Sequence, residues 1–312
     1  MVGNPYLIWL LRVARDPSEM LNVEYETTMS LSFRFEMISG VNPEQAFSDY
    51  REFPVLPQLA THFLCFWVQI ISGQPSIYRH RVFPDGCVDI VFVNSNAPEV
   101  VGPWTEPFLV EFAAGTTICG VRLRPGCASS VLGVPAVELL NRAVPLSTLW
   151  GRARSAELVS VAERPTLSER KAALSETLIN RLGTIVPFDE AVVASIGWLG
   201  HHHHAPVSRL SDGLGISNRR LQRRFVEAVG YGPKMFQSIL RFQRLLYLSH
   251  KGHAGGTFAE LAADVGYADQ AHMTREVRRF AGCSPTALFP SAACTLLMSD
   301  LFKTHDNSPD YP

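Results

Sequence analysis

Two stretches in the C-terminal third of the chain share one pattern, a short helix that stops at a glycine. They run from Arg209 to Ser217 and from Glu260 to Ala268, with Gly215 and Gly266 at matching positions. A chain that turns sharply at the end of a helix needs a positive φ, which glycine adopts without strain. A further helical pattern follows each stretch, so the sequence predicts two helix-turn-helix units in tandem.

Local signals predict where the helices of this repeat begin and end. Ser217 is a suitable N-cap for a helix from Asn218, Thr257 and Glu260 have the spacing of a capping box, and another helix begins near Asp269. The helices after the two turns end in similar segments, Gly230-Tyr231-Gly232-Pro233 and Gly282-Cys283-Ser284-Pro285. The whole unit therefore recurs, which a chance match of one short motif would not do.

The segment between the repeats predicts one long helix. Apolar residues recur at helical spacing from Pro233 to His250. At 1.5 Å per residue such a helix would be roughly 27 Å long. Successive major-groove segments on one face of DNA lie roughly 34 Å apart, so one chain could present two recognition helices to one duplex.

The helix after each turn has an apolar face and a basic face. At 100° per residue, one side of each helix carries the apolar positions, which are Leu221, Phe225 and Ala228 in the first and Met273, Val277 and Phe280 in the second. Arginine and glutamine predominate on the opposite side. Arginine pairs with guanine and glutamine with adenine in the major groove, so this side is predicted to contact DNA.

These segments together resemble the DNA-binding domain of the bacterial AraC-type (AraC/XylS) regulators. The resemblance covers residues 188–292, and its most specific part is G-Y-x-D-Q-x-H followed by G-x-S-P. It implies a one-component transcription regulator that binds double-stranded DNA and contacts RNA polymerase, without a cofactor. It also implies DNA contacts from Asn218, Arg219, Gln222, Arg223, Gln270, Ala271, His272, Thr274 and Arg275, with Arg278 on phosphate. Glu276, an acid on the second recognition helix, is expected to weaken backbone contacts there.

The N-terminal part predicts a different architecture. Short apolar runs between Phe53 and Leu123 alternate with Gly, Pro and Asn, which is typical of strands, and helical patterns follow. The expected fold class is α+β, with a mostly β sensor-like domain before an all-α domain of two helix-turn-helix units joined by a long helix. The expected segments are an extension (1–45), a β-rich sensor or dimerisation domain (46–150), a helical linker (151–187), the DNA-binding domain (188–292) and a tail (293–312).

The β-rich segment also resembles a known but poorly characterised domain. The similar stretches are Phe83 to Ile90, Val101 to Trp104, Gly120 to Gly126 and Pro145 to Gly151, which are of the DUF6597 kind found on some AraC-type regulators. AraC-type regulators commonly sense a small molecule or dimerise through a β-rich N-terminal domain. The resemblance therefore implies control by a small-molecule effector and a homodimer contact.

Other features of the β-rich segment allow alternative hypotheses. Asp85, Cys87 and Asp89, with His80 nearby, alternate on a strand, which favours a structural role over a metal site. Arg122 and Arg124 fit either an anionic effector or a polar strand face, and the strand face is favoured. A thiol-redox or metal-responsive regulator that uses the same DNA-binding domain is the alternative function, with Cys87 or Cys127 as the thiol.

Charge and composition agree with a regulator made of two different domains. The net charge is −1 overall, but residues 205–290 contain 12 Arg and Lys against 6 Asp and Glu, a net charge of +6 that leaves −7 for the rest. The six cysteines are scattered, which is typical of a reducing compartment. Lipase-like, zinc-protease and P-loop motifs are lacking, and His201 to His204 lacks metal-ligand spacing. The expectation is a cytoplasmic, nucleoid-associated protein that is neither an enzyme nor a membrane protein.

Overall fold

The computed structural model describes residues 47–72, 77–182, 187–202, 205–250 and 257–289. The predicted extension at 1–45, the predicted tail at 293–312, and His203 and His204 lie outside these residues. The chain divides into two compact units, Met1–Leu240 and Arg241–Pro312, which are called the first unit and the second unit below. The division falls inside the long helix that was predicted between the repeats.

The N-terminal part of the first unit contains two antiparallel sheets. The larger sheet has six strands in the order β1 (Phe47–Pro54), β2 (Phe63–Ser72), β7 (Thr117–Leu123), β4 (Val88–Val93), β5 (Glu99–Val101) and β8 (Ala143–Pro145). The smaller sheet pairs β3 (Ile77–Val82) with β6 (Phe108–Ala113). The expected mostly β domain is confirmed, although the apolar runs that stand out in the sequence correspond to β2, β4, β6 and β7 and not to β1, β3, β5 or β8.

Strand β2 is buried on both faces, so it contributes to two cores. Phe66 and Val68 belong to a core on one face of the larger sheet, whereas Cys65 and Trp67 belong to a second core on the other face. Successive side chains of a strand point to opposite faces, which explains the division. Tyr78 of β3 completes the second core, so the smaller sheet covers this face. A strand buried on both sides appears in the sequence as an uninterrupted apolar run.

Four helices cover the other face of the larger sheet. They are α1 (Ala128–Leu132), α2 (Leu146–Trp150), α3 (Arg152–Ala162) and α4 (Leu167–Leu182). A 3-10 turn at Ala136–Leu139 joins them in the first core, where Leu146, Leu158 and Leu178 are at most 1% exposed. Helical patterns were expected after the strands, and both α3 and α4 lie within the predicted helical linker at 151–187.

Helices make up the rest of the described chain. They are α5 (Glu190–His201), α6 (Ser208–Gly213), α7 (Asn218–Val229), α8 (Pro233–His250), α9 (Phe258–Val265), α10 (Gln270–Ala281) and α11 (Pro285–Leu288). The expected α+β class, with an all-helical C-terminal region, is confirmed. Helix α5 starts two residues after the predicted start of the DNA-binding domain at residue 188, because the side chain of Asp189 caps it by accepting a hydrogen bond from the backbone NH of Val192 (3.1 Å).

Candidate nucleic-acid interface

The first repeat consists of α6, a turn and α7. Gly215 in the turn has a φ of +62°, as its position in the sequence predicted. Ser217 caps α7 by accepting a hydrogen bond from the NH of Arg220 (3.3 Å), and Ser211 Oγ donates to Asn218 Oδ1 (2.9 Å). Asn218, which was predicted to contact DNA, is exposed. Its bond to Ser211 also joins the two helices of the repeat.

Helix α7 has the two faces that the sequence predicted. Leu221, Phe225 and Ala228 are buried, and Phe225 contacts Phe236 of α8, with ring centroids 5.6 Å apart. Three of the residues predicted to contact DNA are exposed on the other side, namely Arg219, Gln222 and Arg223. Their positions in the first half of α7 suit a helix that enters the major groove by its N-terminal part.

A fourth arginine of α7 has a structural role. Arg224 donates two hydrogen bonds to Asp189, from Nε to Oδ2 and from Nη2 to Oδ1, both at 2.5 Å. The hydrogen bond to Asp189 raises the pKa of the guanidinium, which therefore stays charged. Arg224 anchors α7 to the start of α5 and is held away from the basic face.

The second repeat consists of α9, a turn and α10, and it begins with the capping box that the sequence predicted. Thr257 and Glu260 form a complete capping box at the start of α9. Gly266 ends that helix with a φ of +95°. Asp269 caps α10 by accepting a hydrogen bond from the NH of His272 (2.6 Å). The two repeats therefore share their turn glycine and a side-chain cap on the following helix.

The residues of α10 that were predicted to contact DNA fall into two groups. Four are exposed, which are Gln270, Ala271, Arg275 and Arg278. The other two are partly buried and make local contacts. Thr274 donates its hydroxyl hydrogen to the carbonyl of Gln270 (2.8 Å), and His272 packs edge-on against Tyr267 while its Nδ1 lies 3.4 Å from the NH of Ala268.

Glu276 does not face the exposed side of α10, and the expectation that it weakens DNA backbone contacts is not supported. Its carboxylate lies 3.7 Å from Nη2 of Arg241 in α8, and both side chains are 13% exposed. Arg241 also lies over the ring of Tyr267, 5.6 Å from its centroid. The acid therefore contributes to the interior of the second unit.

A cluster of charged residues lies at the second core of the β-rich region, where sequence reasoning found only separate candidates. Arg122 is 8% exposed at its side chain and binds Asp89 with both Nε (3.1 Å) and Nη2 (3.2 Å). Asp85 and Glu52 lie 3.5 and 3.7 Å from the same guanidinium. Because Arg122 is surrounded by three acids, it is not available to an anionic effector. Arg124 donates to the carbonyl of Ala60 (2.6 Å).

The thiols suggested for a redox switch are buried. Burial raises the pKa of Cys87 well above its ordinary value, and it raises the pKa of Cys127 to about 12. Both groups are therefore protonated thiols at neutral pH, which disfavours reaction with oxidants. In the described part of the chain, no group of three or more His, Cys, Asp or Glu side chains is arranged to hold a metal ion.

Two helix-turn-helix repeats with exposed basic faces define the class of the protein, a DNA-binding transcription regulator. Comparison with known families specifies the class further. Residues 210–290 match a family described as a helix-turn-helix domain, and residues 51–145 match a domain of unknown function, DUF6597. The C-terminal region is thus an AraC-type helix-turn-helix domain, and the β-rich region is of the DUF6597 kind.

Solved structures with some similarity include ToxT from Vibrio cholerae. ToxT of strain O395 has 12% sequence identity and a TM-score of 0.38, over 70% of this chain and 98% of that one. A wild-type ToxT of strain SCE256 with a bound unsaturated fatty acid has 11% identity and a TM-score of 0.36, over 73% and 96%. Comparison with curated proteins gives no match. Among the described helices, no segment has the length and hydrophobicity that a bilayer span requires.

Proposed function

We propose that this chain regulates transcription by sequence-specific binding to double-stranded DNA through both repeats. The observation that carries the proposal is the matched exposure of arginine and glutamine in the N-terminal half of α7 and of α10, opposite buried apolar faces. Base readers are Arg219, Gln222 and Arg223 in the first repeat, and Gln270, Ala271, His272, Thr274 and Arg275 in the second. Arg278 binds phosphate. Asn218 contacts DNA in addition to its hydrogen bond with Ser211.

We propose that one chain binds two successive major-groove segments of the same duplex. Helix α8 has 18 residues without a break, which at 1.5 Å per residue is roughly 27 Å. That length supports a spacing of about one DNA turn, roughly 34 Å, between the bound segments. A contact with RNA polymerase and a homodimer through the β-rich domain belong to the same proposal, as does the location in the cytoplasm at the nucleoid.

The experiment that tests this function is selection of DNA from a random pool by the full-length chain. Titration of the selected site and of random DNA at two salt concentrations then separates base recognition from phosphate binding. The expected result is a site with two short motifs about one helical turn apart. A double variant, Arg223→Ala with Arg275→Ala, is the matched control and should select no motif. Equal binding of selected and random DNA by the unaltered chain would contradict the proposal.

We propose in addition that an uncharged, polar small molecule controls the protein from the second core of the β-rich domain. His80 is 2% exposed, its Nδ1 lies 3.3 Å from the hydroxyl of Tyr78, and within the described residues its Nε2 has no hydrogen-bond partner. Burial lowers the pKa of His80 to about 4, so the ring is neutral. An unpaired buried polar atom costs roughly 1–3 kcal/mol, which a ligand group could offset.

Thermal denaturation with a panel of uncharged polar metabolites tests this second proposal. A true ligand should raise the melting temperature of the unaltered chain and change its affinity for the selected DNA. The His80→Phe variant should keep its fold and lose the shift. A shift of equal size in both proteins would place the ligand elsewhere.

A further inference from the structure

The turn between β3 and β4 lies directly against the segment that follows the first recognition helix, α7. Gly86 in this turn has a φ of +84°, and a Cβ built on it would lie 2.7 Å from Cε2 of Phe236 and 3.5 Å from the hydroxyl oxygen of Tyr231. Phe236 is fully buried in α8, and Tyr231 is 6% exposed in the segment between α7 and α8. Only a residue without a side chain fits between them, since real Cβ atoms essentially never come so close to a ring carbon.

The other side of this turn is held by the buried charge cluster. Asp85 accepts a hydrogen bond from the backbone NH of Cys87 (2.8 Å), and its second oxygen lies 3.5 Å from Nη2 of Arg122. Arg122 is in turn fixed by its two bonds to Asp89. The shape of the turn therefore depends on the ion pairs inside the β-rich domain.

The C-terminal end of α7 is seated on the same domain at two further points. A Cβ on Gly230 would lie 2.7 Å from Cγ of Pro103, and Ser129 Oγ donates to the carbonyl of Glu227 (3.0 Å). These contacts involve only the end of α7 opposite to its exposed arginines. The β-rich domain can thus fix the direction of the helix while its N-terminal half stays accessible.

We propose that the turn formed by Asp85, Gly86 and Cys87 positions the first recognition helix for sequence-specific DNA binding. Gly86 is the positioning residue, because its missing side chain lets the turn support Phe236 and Tyr231. Asp85 links this support to Arg122, so the state of the second core influences how the first repeat meets DNA. The inference rests on the proposed function, since it assumes that α7 recognises bases.

The test compares Gly86→Ala with Gly115→Ala in the full chain. Gly115 has nearly the same φ, +83°, but a Cβ there would meet nothing within 4 Å, so this variant carries the backbone strain alone. DNA affinity is measured on the selected site and on two derivatives, each with one motif scrambled. The motif that Arg223→Ala no longer distinguishes is the motif of the first repeat.

Gly86→Ala should lose about tenfold or more in discrimination of the first repeat's motif, while the motif of the second repeat is recognised as before. Gly115→Ala should bind both motifs like the unaltered chain. Adding Phe236→Leu to Gly86→Ala removes the ring atoms in the way and should restore part of the loss. Rescue of this kind would not follow from a general loss of stability.

Asp85→Asn is the milder second variant, because it keeps the acceptor for Cys87 and removes the charge that faces Arg122. Like Gly86→Ala, it should weaken discrimination of the first repeat's motif, but only by about threefold. The inference would be overturned if Gly86→Ala and Gly115→Ala discriminated the first repeat's motif equally well. It would also be overturned if the effects of Gly86→Ala and Phe236→Leu on that discrimination were purely additive. Failure of the unaltered chain to select any motif would instead overturn the proposed function.

Discussion

Arg224 and Asp189 are joined by two hydrogen bonds of 2.5 Å, and the same carboxylate caps helix α5. One acid therefore fixes the start of one helix and the middle of the first recognition helix. Its replacement in Asp189→Ala should remove both contacts. The side chains are about a quarter exposed, so solvent screening reduces the ion-pair contribution. We expect a loss of about 1–3 kcal/mol in the free energy of unfolding, measured in urea.

Asp189→Asn separates the two contributions, because asparagine is also a good N-cap but carries no charge. It should recover the part of the loss that belongs to the cap. The matched control is Asp212→Ala, which removes an exposed acid of the neighbouring helix α6 and should change the stability by less than about 0.5 kcal/mol. Similar losses in all three variants would show that Asp189 has no special role.

The exposed arginines of the two repeats should differ in what they recognise. Arg223→Ala and Arg275→Ala should each cost about 1–3 kcal/mol on the selected site and little on random DNA. Arg278→Ala should weaken binding to every sequence and reduce the slope of log affinity against log salt by about 1. Arg79→Ala, which removes a 69% exposed arginine of β3, is the charge-matched control. Equal loss on random DNA would contradict base readout by Arg223 or Arg275.

The position of Glu276 predicts that its removal lowers stability, whereas its charge alone would suggest that its removal strengthens DNA binding. An acid that faced DNA would repel phosphate, and its removal would strengthen binding. Because Glu276 instead pairs with Arg241 in the interior of the second unit, Glu276→Ala should leave a buried guanidinium without its acid. We expect a lower melting temperature and no gain in DNA affinity, measured by calorimetry and titration. A gain in affinity with unchanged stability would contradict this structural role.

Glu52 makes the stability of the β-rich domain depend on pH. Burial raises the pKa of its carboxyl above the ordinary value of 4.5, although Arg122 lowers it in part. The folded chain thus binds this proton more tightly than the unfolded chain. The resulting stability is present below pH 4.5 and is lost as the pH rises through the raised pKa. Glu52→Gln should remove this loss. The free energy of unfolding of the variant should therefore increase relative to that of the unaltered chain as the pH rises from 4.5 towards neutrality.

Asp89→Asn is the contrasting variant in the same cluster. It removes the charge that pairs with Nε and Nη2 of Arg122, and the loss in the free energy of unfolding should be about 3–5 kcal/mol at neutral pH. Urea unfolding at several pH values measures both effects. A constant difference between Glu52→Gln and the unaltered chain at all pH values would show that Glu52 does not titrate in this range.

The buried thiols predict slow chemical labelling. Cys87 and Cys127 should resist iodoacetamide in the folded chain at neutral pH, because burial keeps both protonated. Both should react once the chain is unfolded in urea. Mass spectrometry of the labelled peptides distinguishes the two sites. Rapid labelling of either residue in the folded chain would revive the thiol-sensor hypothesis.

The repeats could be predicted in detail because their signals are local. The caps at Ser217 and Thr257 and the glycines of the turns act on neighbouring residues only, so the sequence around each is sufficient. The same holds for the apolar stripes, since periodicity decides which face is buried. Helix α8 was predicted with the bounds that the structure shows.

The charged cluster and the pairing of Glu276 could not be predicted, because they depend on contacts between distant segments. Glu52, Asp85, Asp89 and Arg122 come from three strands and a turn, and only the pairing of β1, β2, β7 and β4 brings them together. Likewise, helical periodicity places Glu276 on the flank of α10 but does not show that Arg241 of another helix lies opposite. Gly86 and Phe236 are 150 positions apart, so no local pattern links them.

The close fit of the first repeat against the β-rich domain limits how freely such regulators can exchange their parts. A fragment cut before α5 would uncover Tyr231 and Phe236 where they meet Gly86, and would uncover Gly230 where it meets Pro103. Chimeras that graft a new sensor onto this DNA-binding region must therefore also supply a matching glycine turn. Recombination between related genes would meet the same restriction, so the sensor and the first repeat are expected to be inherited together.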